Sequence, residues 1–337
     1  MNDSTVRPAV SFVLPVYNEE GNVDRVHADL TRAGSKLGQP YEIVFVNDGS
    51  TDRTLERLEA LATGDPHLRV VDLAGNFGEA AALSAGYTHA RGHLVCSLDG
   101  DGQSDPGDLP RLMAALVPGC DVVTGFRKRR EGNFFTRVLP SRIANRLIAW
   151  VTGVPVHDCG CSFKLYRRHV LTDVRLPKGM HRFLPAILGV RASQVAEVSV
   201  NDRPRGSGRS HYGLSRTFIV LRDLVGLRLV LRQPPPGRSS ARTLRLGSLC
   251  TAAAGVVMLA AGHPGLSAAC VLVSSGLAAA WYDVLRFVEA RERGVYRVRR
   301  VLDAAAATRG ARRNGLLGNE RAQHVRQAPA GPTDGAL

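Results

Sequence analysis

Short apolar runs recur along the first part of the chain, at residues 10–16, 43–47, 68–72, 93–98 and 121–124. Each has the length of a β-strand, and stretches with helical spacing lie between them, at 19–37, 52–62, 79–90 and 106–116. Strands that are apolar at successive positions are buried on both faces. The alternation therefore predicts a Rossmann-like, mostly parallel α/β sheet with helices on either side. In such sheets ligands sit beyond the carboxyl ends of the strands.

A different pattern takes over in the C-terminal third. No Asp, Glu, Lys or Arg occurs from Leu246 to Tyr282, and His263-Pro264-Gly265 interrupts this run near its middle. Each half has about the length of one bilayer crossing, which takes ~20 mostly apolar residues. Arg238, Arg242 and Arg245 precede the run, Arg286, Arg291, Arg293 and Arg297 follow it, and the central turn carries no Lys or Arg. By the positive-inside rule both ends are then cytoplasmic. The alternative is a buried helical hairpin in a soluble core. The many Ala, Gly and Ser residues would let two crossing helices pack closely. Trp150 and Trp281 fall near the expected membrane boundaries, as interfacial anchors or as ordinary packing residues.

A basic segment, residues 127–146, holds seven Lys or Arg and one acid, Glu131. Phe134, Phe135, Val138, Leu139 and Ile143 interleave with the charges, and Leu147 and Ile148 follow. That composition suits a helix lying on a membrane surface, a solvated basic helix being the plainer alternative.

The 337 residues are 44% hydrophobic and 22% charged, which excludes a disordered chain and a many-span carrier. Lys and Arg number 44 against 30 Asp and Glu, a net charge of +14 that suits anionic partners. Aromatic residues are only 6%, and the charge lies beside apolar spans, so nucleic acid is not the expected partner. Six Cys form no disulfide framework, and Cys159-Gly160-Cys161 has neither redox nor zinc spacing. Met1 to Pro8 is polar, with no apolar stretch expected of a cleaved signal. His157, His169 and His181 match no ligand spacing, so core or surface roles are expected.

The chemistry-bearing residues fall at the predicted strand ends. Asp99-Gly100-Asp101 follows the fourth run, and two carboxylates one residue apart can share a divalent cation with a diphosphate. An ordinary acidic turn is the alternative. Asp48 ends the second run, where it could accept from a nucleobase N–H or cap the helix that follows. Asn18 could likewise cap the first helix.

Six separated motifs carry a resemblance. Leu14-Pro15-Val16-Tyr17-Asn18-Glu19-Glu20, Val46-Asn47-Asp48-Gly49-Ser50-Thr51-Asp52, Gly75-Asn76-Phe77-Gly78 and Leu98-Asp99-Gly100-Asp101-Gly102-Gln103 resemble a family 2 glycosyltransferase with the GT-A fold. The segments from Asp158 to Arg168 and from Arg203 to Gly213, with the apolar C-terminal hairpin, are similar to its polyprenyl-phosphate branch, which includes dolichyl-phosphate mannose synthases. The resemblance covers about residues 9–300 and implies roles. Pro15, Tyr17, Glu19 and Asp48 match nucleotide-binding positions. Asp99 and Asp101 match the ligands of Mg²⁺ or Mn²⁺, with Gln103 facing the donor. Arg127 starts a loop that reaches the acceptor phosphate, and Arg205 and Ser210 match residues that meet the donor and acceptor phosphates. Two departures are visible: His211 stands where relatives usually carry Lys, and the acidic motif reads D-G-D-G-Q rather than D-A-D-L-Q.

The implied organisation is a cytosolic GT-A domain over residues 1–232, with interface helices at about 133–152 and 212–231. A linker at 233–243 follows, then two membrane helices within 244–288, at about 244–262 and 266–287, and a basic, largely disordered cytoplasmic tail at 289–337. The implied activity is inverting transfer of one sugar from a nucleotide-sugar, preferably a UDP-sugar, to a polyprenyl phosphate at the cytoplasmic membrane face, with self-association allowed. Another lipid or glycan acceptor, or a silent membrane scaffold, are the alternatives. A phosphate acceptor is already anionic at neutral pH, its second pKa being about 6, so no general base is required.

Overall fold

The computed structural model describes residues 7–127, 139–203, 223–224, 227, 231 and 237–303, without the side chains of 139–144. Arg205, Ser210 and His211, and most of the expected helix at 212–231, lie outside the described residues.

Eight strands form one sheet in the order β7-β5-β6-β4-β1-β2-β3-β8. They are β1 (Val10–Val16), β2 (Tyr41–Asn47), β3 (Leu68–Leu73), β4 (Leu94–Ser97), β5 (Val122–Arg127), β6 (Lys164–Arg167), β7 (Val195–Val200) and β8 (Val298–Asp303). β1 pairs in parallel with β2 and β4, β2 with β3, and β5 with β7, while β6 and β8 run antiparallel to their neighbours. The first five strands lie where the apolar runs place them. The other three are short or polar, and the apolar pattern does not announce them.

Continuous apolar runs are explained by burial on both faces. Phe12, Leu14 and Val16 of β1 enter one core with Ile43 and Phe45 of β2, while Val13, Val44 and Val46 enter the other. Helices α1 (Val23–Ser35), α2 (Thr54–Gly64) and α4 (Leu109–Ala115) cover the first face through Val26, Leu30, Leu58 and Leu112. α3 (Glu79–His89) covers the second, and every residue from Ala80 to Tyr87 is buried. A helix enclosed all round has no amphipathic stripe. In register, Val16 pairs with Asn47 and Asn47 with Asp72, so three consecutive strands end on one edge.

A third core joins α5 (Leu139–Thr152) and α6 (Leu184–Ile187) to the C-terminal hairpin: Ile148, Val156, Met180, Phe183, Leu224 and Leu227 pack with Phe287. That hairpin is α7 (Arg238–Ala260) and α8 (Pro264–Arg293). Each helix carries a stretch of mean hydropathy 1.5 of which only 6% and 17% is buried, unlike a core helix. Both are long and apolar enough to cross a membrane. Small residues bring them together: Ser248 Oγ donates to the Ser274 carbonyl at 3.0 Å, Ser274 Oγ to the Ser248 carbonyl at 2.9 Å, and Gly255 faces Cys270 and the Ser267 carbonyl. Leu246, Leu249, Val257, Leu259, Leu266 and Leu272 point outward.

Two boundaries need correction. α7 begins at Arg238, inside the stretch expected to be a linker, because Arg238 pairs with Glu292 across the hairpin. The expected tail begins too early: α8 runs to Arg293 and Val298–Asp303 then joins the sheet beside β3. Arg299 and Arg300 there approach the buried Asp72 at 3.3 and 3.5 Å, so basic residues that read as a tail neutralise a carboxylate in the sheet.

Candidate active site

The carboxyl edge of β1, β2 and β3 is laced by loop contacts. Asn18 adopts φ 54°, a left-handed conformation that Asn tolerates better than most residues. Its N–H donates to Ser50 Oγ at 3.0 Å, and its Oδ1 accepts the Thr51 N–H at 2.8 Å. The Glu19 N–H donates to Thr54 Oγ1 at 2.8 Å, and Glu20 Oε2 accepts the Arg53 N–H at 2.9 Å. Asn18 is thus a lock between two loops rather than a cap of α1. Tyr17 is 45% exposed and Pro15 partly buried, and Glu19 Oε2 accepts from Asn22 Nδ2 at 2.6 Å.

Asp48 is buried and holds the start of α3. Its Oδ1 accepts the Phe77 N–H and its Oδ2 the Gly78 N–H, both at 2.8 Å. Burial pushes this carboxyl up, the two N–H groups and the charge of Lys178 pull it back, and the net displacement is upward. It does not cap α2, whose first turn is met instead by Asp52 Oδ1 accepting the Thr54 N–H at 3.0 Å. Each Asp48 oxygen keeps a further lone pair for a ligand.

Asp99 and Asp101 follow β4. Asp101 is buried, and its Oδ1 accepts the Gln103 N–H at 3.0 Å in a turn that Gly102 makes possible with φ 73°. Of the two glycines that depart from the commoner motif, Gly102 therefore has a backbone reason. The Asp99 carboxyl lies well above the usual range, first through desolvation and then through the nearby charges of Glu79 and Asp101, with Ser162 and Lys164 partly compensating. A site that crowds carboxylates in this way fits a divalent cation with oxygen ligands. Among the described residues no set of three or more His, Cys, Asp or Glu surrounds one metal position. A cation here would share Asp99 and Asp101 with substrate phosphates, as Mg²⁺ and Mn²⁺ sites do.

The same turn is tied to the chain that leads towards Arg205. The Gln103 carbonyl accepts the Arg203 N–H at 2.8 Å, and Ser104 bridges to Asp202. The Arg203 guanidinium joins Asp29 and Asp105, each at 2.8 Å.

Arg127, at the end of β5, is forked to Asp158: Nε to Oδ2 at 2.9 Å and Nη2 to Oδ1 at 3.3 Å. Lys164 is buried on β6, its ammonium turned to the carbonyls of Cys159 and Cys161, which orients that loop beside Asp99. Burial raises both thiols to about 11, so Cys159 and Cys161 are packing residues rather than nucleophiles. His157, His169 and His181 face Glu197, Asp121 and Glu79 respectively, three separate carboxylates. Trp150 on α5 is 80% exposed, while Trp281 lies under the Arg245 guanidinium at 5.6 Å.

Sequence reasoning passes over Glu79 and gives His181 only a core or surface role. Glu79, the first residue of α3, contributes charge to Asp99, and His181 Nε2 lies 3.3 Å from its Oε1. Glu79 directly follows the Gly75–Gly78 motif, the one signal that marks it; nothing local marks His181.

Residues 11–175 match the family model described as Glycosyl transferase family 2. Across 68% of this chain and 70% of the relative, the sequence is 40% identical to the dodecaprenyl-phosphate galacturonate synthase of Rhizobium johnstonii. The chain belongs to glycosyl transferase family 2. It is also 35% identical to the undecaprenyl-phosphate 4-deoxy-4-formamido-L-arabinose transferase of Aeromonas hydrophila, over 67% of this chain and 69% of that one. The fold is that of glucosyl-3-phosphoglycerate synthase from Mycobacterium tuberculosis, a structure solved with Mn²⁺, UDP and phosphoglyceric acid. The TM-score is 0.53 at 21% identity, covering 68% of this chain and 80% of the other. As a family 2 glycosyltransferase the chain is an enzyme, with a GT-A sheet followed by two candidate membrane spans. The family match contains Tyr17, Asp48, Asp99, Asp101 and Arg127 and ends before Arg205 and the hairpin.

Proposed function

We propose that the protein transfers one sugar, with inversion, from a nucleotide-sugar to a polyprenyl phosphate at the cytoplasmic face of a membrane. The observation that carries this reading is the joining of an acidic strand-end site to two apolar spans in a chain similar to two polyprenyl-phosphate sugar transferases.

Tyr17 offers a ring to the nucleobase, and Pro15, Glu19 and Asp48 line the same edge. Asp99 and Asp101 would hold a divalent cation, which when bound would supply positive charge for a nucleoside diphosphate leaving group. The Mn²⁺ and UDP bound by the mycobacterial neighbour support that assignment and favour a UDP-sugar. An anionic phosphate needs no proton removed before it attacks, so the protein's task is orientation and charge compensation. Arg127 keeps guanidinium N–H groups beyond the two it gives to Asp158 and can offer them to such a phosphate, and Arg205 and Ser210 would complete the acceptor side. The arginines flanking the hairpin support both termini being cytoplasmic, and the exposed Trp150 supports α5 lying at the interface.

Membranes containing the full chain are incubated with a panel of nucleotide-sugars and undecaprenyl phosphate, and the lipid fraction is read by mass spectrometry. A single-sugar polyprenyl phosphate is the expected product. Sugar appearing only on another lipid or a glycan would overturn the acceptor assignment.

A further inference from the structure

Among the described residues the site gathers more carboxylates than free cations, while two phosphorylated substrates have to meet there. Asp48, Glu79, Asp99 and Asp101 are acidic. Of the cations described above, Lys164 is turned to backbone carbonyls and Arg127 is forked to Asp158. Among the described residues Arg25 donates to the Asp101 carbonyl at 3.2 Å, and Lys178 is an exposed cation beside the nucleotide edge. The stem of Lys178 lies along Gly78: a Cβ built there would stand 3.6–3.8 Å from Lys178 Cγ, Cδ and Cε. Gly78 is the residue whose N–H holds Asp48. Asp48 feels the Lys178 charge, yet among the described residues no carboxylate forms an ion pair with its ammonium.

What holds Lys178 there comes from the far end of the chain. Arg286, in the last turns of α8, donates to the Lys178 carbonyl and faces Asp283 at 3.3 Å and Asp223 at 3.8 Å, both buried carboxylates. Its guanidinium also lies 5.2 Å from the Tyr282 ring centre. A second tie runs from Arg175 to the Arg291 carbonyl at 2.6 Å. Between these ties Met180 and Phe183 are buried in the core that contains Phe287. The turn at 177–180 is thus fixed to the end of α8 on one side and to the start of α3 on the other.

We propose that Lys178 is a phosphate-binding residue of the active site and that Arg286 is its positioning residue, so that the end of the second apolar helix helps build the site. This rests on the reading that a nucleotide-sugar and a lipid phosphate meet here. The shared chemistry is a phosphate group, and its two sources are the donor diphosphate and the acceptor.

The test uses the full chain in detergent micelles with Mn²⁺. UDP binding is measured by calorimetry, and KM and kcat are measured with donor and acceptor varied in turn. Loss of a charge-assisted contact corresponds to a change of about ten- to a hundred-fold. If Lys178 meets the donor, Lys178→Ala weakens UDP binding by that factor; if it meets the acceptor, UDP binding holds and the acceptor KM rises. Lys178→Arg restores most of either loss. Arg286→Ala moves the same constant in the same direction, and the double variant is no worse than Lys178→Ala, since both act through one group. Lys178→Ala with unchanged UDP affinity and unchanged acceptor KM overturns the phosphate assignment. Independent, multiplying losses overturn the positioning role. Should Arg286→Ala fail to fold, Arg286→Lys replaces it in the cycle, with the same two outcomes deciding. Failure of the wild-type chain to bind UDP or any other nucleoside diphosphate would reject the proposed function itself, a result distinct from these.

Discussion

Arg127 and Asp158 meet in a two-pronged ion pair, with the carboxylate buried and the guanidinium 19% exposed. The pair joins the end of β5 to the loop before β6, and each guanidinium proton given to Asp158 is withheld from a substrate. Removing one partner of such a pair leaves an uncompensated charge, at a cost of about 3 kcal/mol. Asp158→Ala is expected to lower stability by about that amount in thermal or denaturant unfolding. An unfolding midpoint equal to that of wild type would show that the fork contributes little.

Asp101→Ala is expected to abolish transfer while the chain stays folded and in the membrane, because the motif then offers a metal–diphosphate complex one carboxylate instead of two. Chelator should abolish the wild-type activity as well, and added Mg²⁺ or Mn²⁺ should return it. Full turnover in excess EDTA would remove the metal from the mechanism.

Gly86 sits where α3 crosses the sheet, and a methyl group there would press into the side chain of Val13 and come within 3.1 Å of Val46 Cγ2. Gly86→Ala should destabilise the catalytic domain by about 1–3 kcal/mol through overpacking. The check is the urea midpoint, and no change would mean that α3 lifts freely.

Asp72 is fully buried between Asn47, whose Nδ2 donates to it at 2.8 Å, and the two arginines of β8. Replacing Arg299 and Arg300 together by Ala should cost about 1–2 kcal/mol, a modest figure because both guanidinium groups are about half exposed. Hydrogen exchange should quicken in β3 and in the loop after Asn47. Unaltered exchange in both would show that β8 merely borders the sheet.

For the hairpin, a single cysteine at Gly265, on a background with Cys250 and Cys270 replaced, should react with an impermeant thiol reagent only from the non-cytoplasmic side. Labelling confined to the cytoplasmic side would reject two crossings with both ends inside.

The first five strands were legible because a strand buried on both faces must be apolar at nearly every position, and that leaves a mark in a single sequence. Acidic and turn residues at the carboxyl ends of those runs were legible for the same reason, since a known strand end fixes where ligands sit. The uncharged run from Leu246 to Tyr282 marks two candidate spans by its length and lack of charge. No local pattern could place β6, β7 or β8. Lys164–Arg167 is four residues long, Val195–Val200 is an edge strand mostly half-buried, and Val298–Asp303 carries two arginines. Their pairing is set by neighbours far away in the chain. The same holds within the site. A sequence names Asp48, Arg127 and Arg299 as charged side chains. Only the fold decides that Asp48 holds the start of α3, that Arg127 closes on Asp158, and that Arg299 reaches Asp72 from beyond the hairpin, because a charge takes its role from whatever lies within about 4 Å of it, and that distance is unrelated to spacing along the chain.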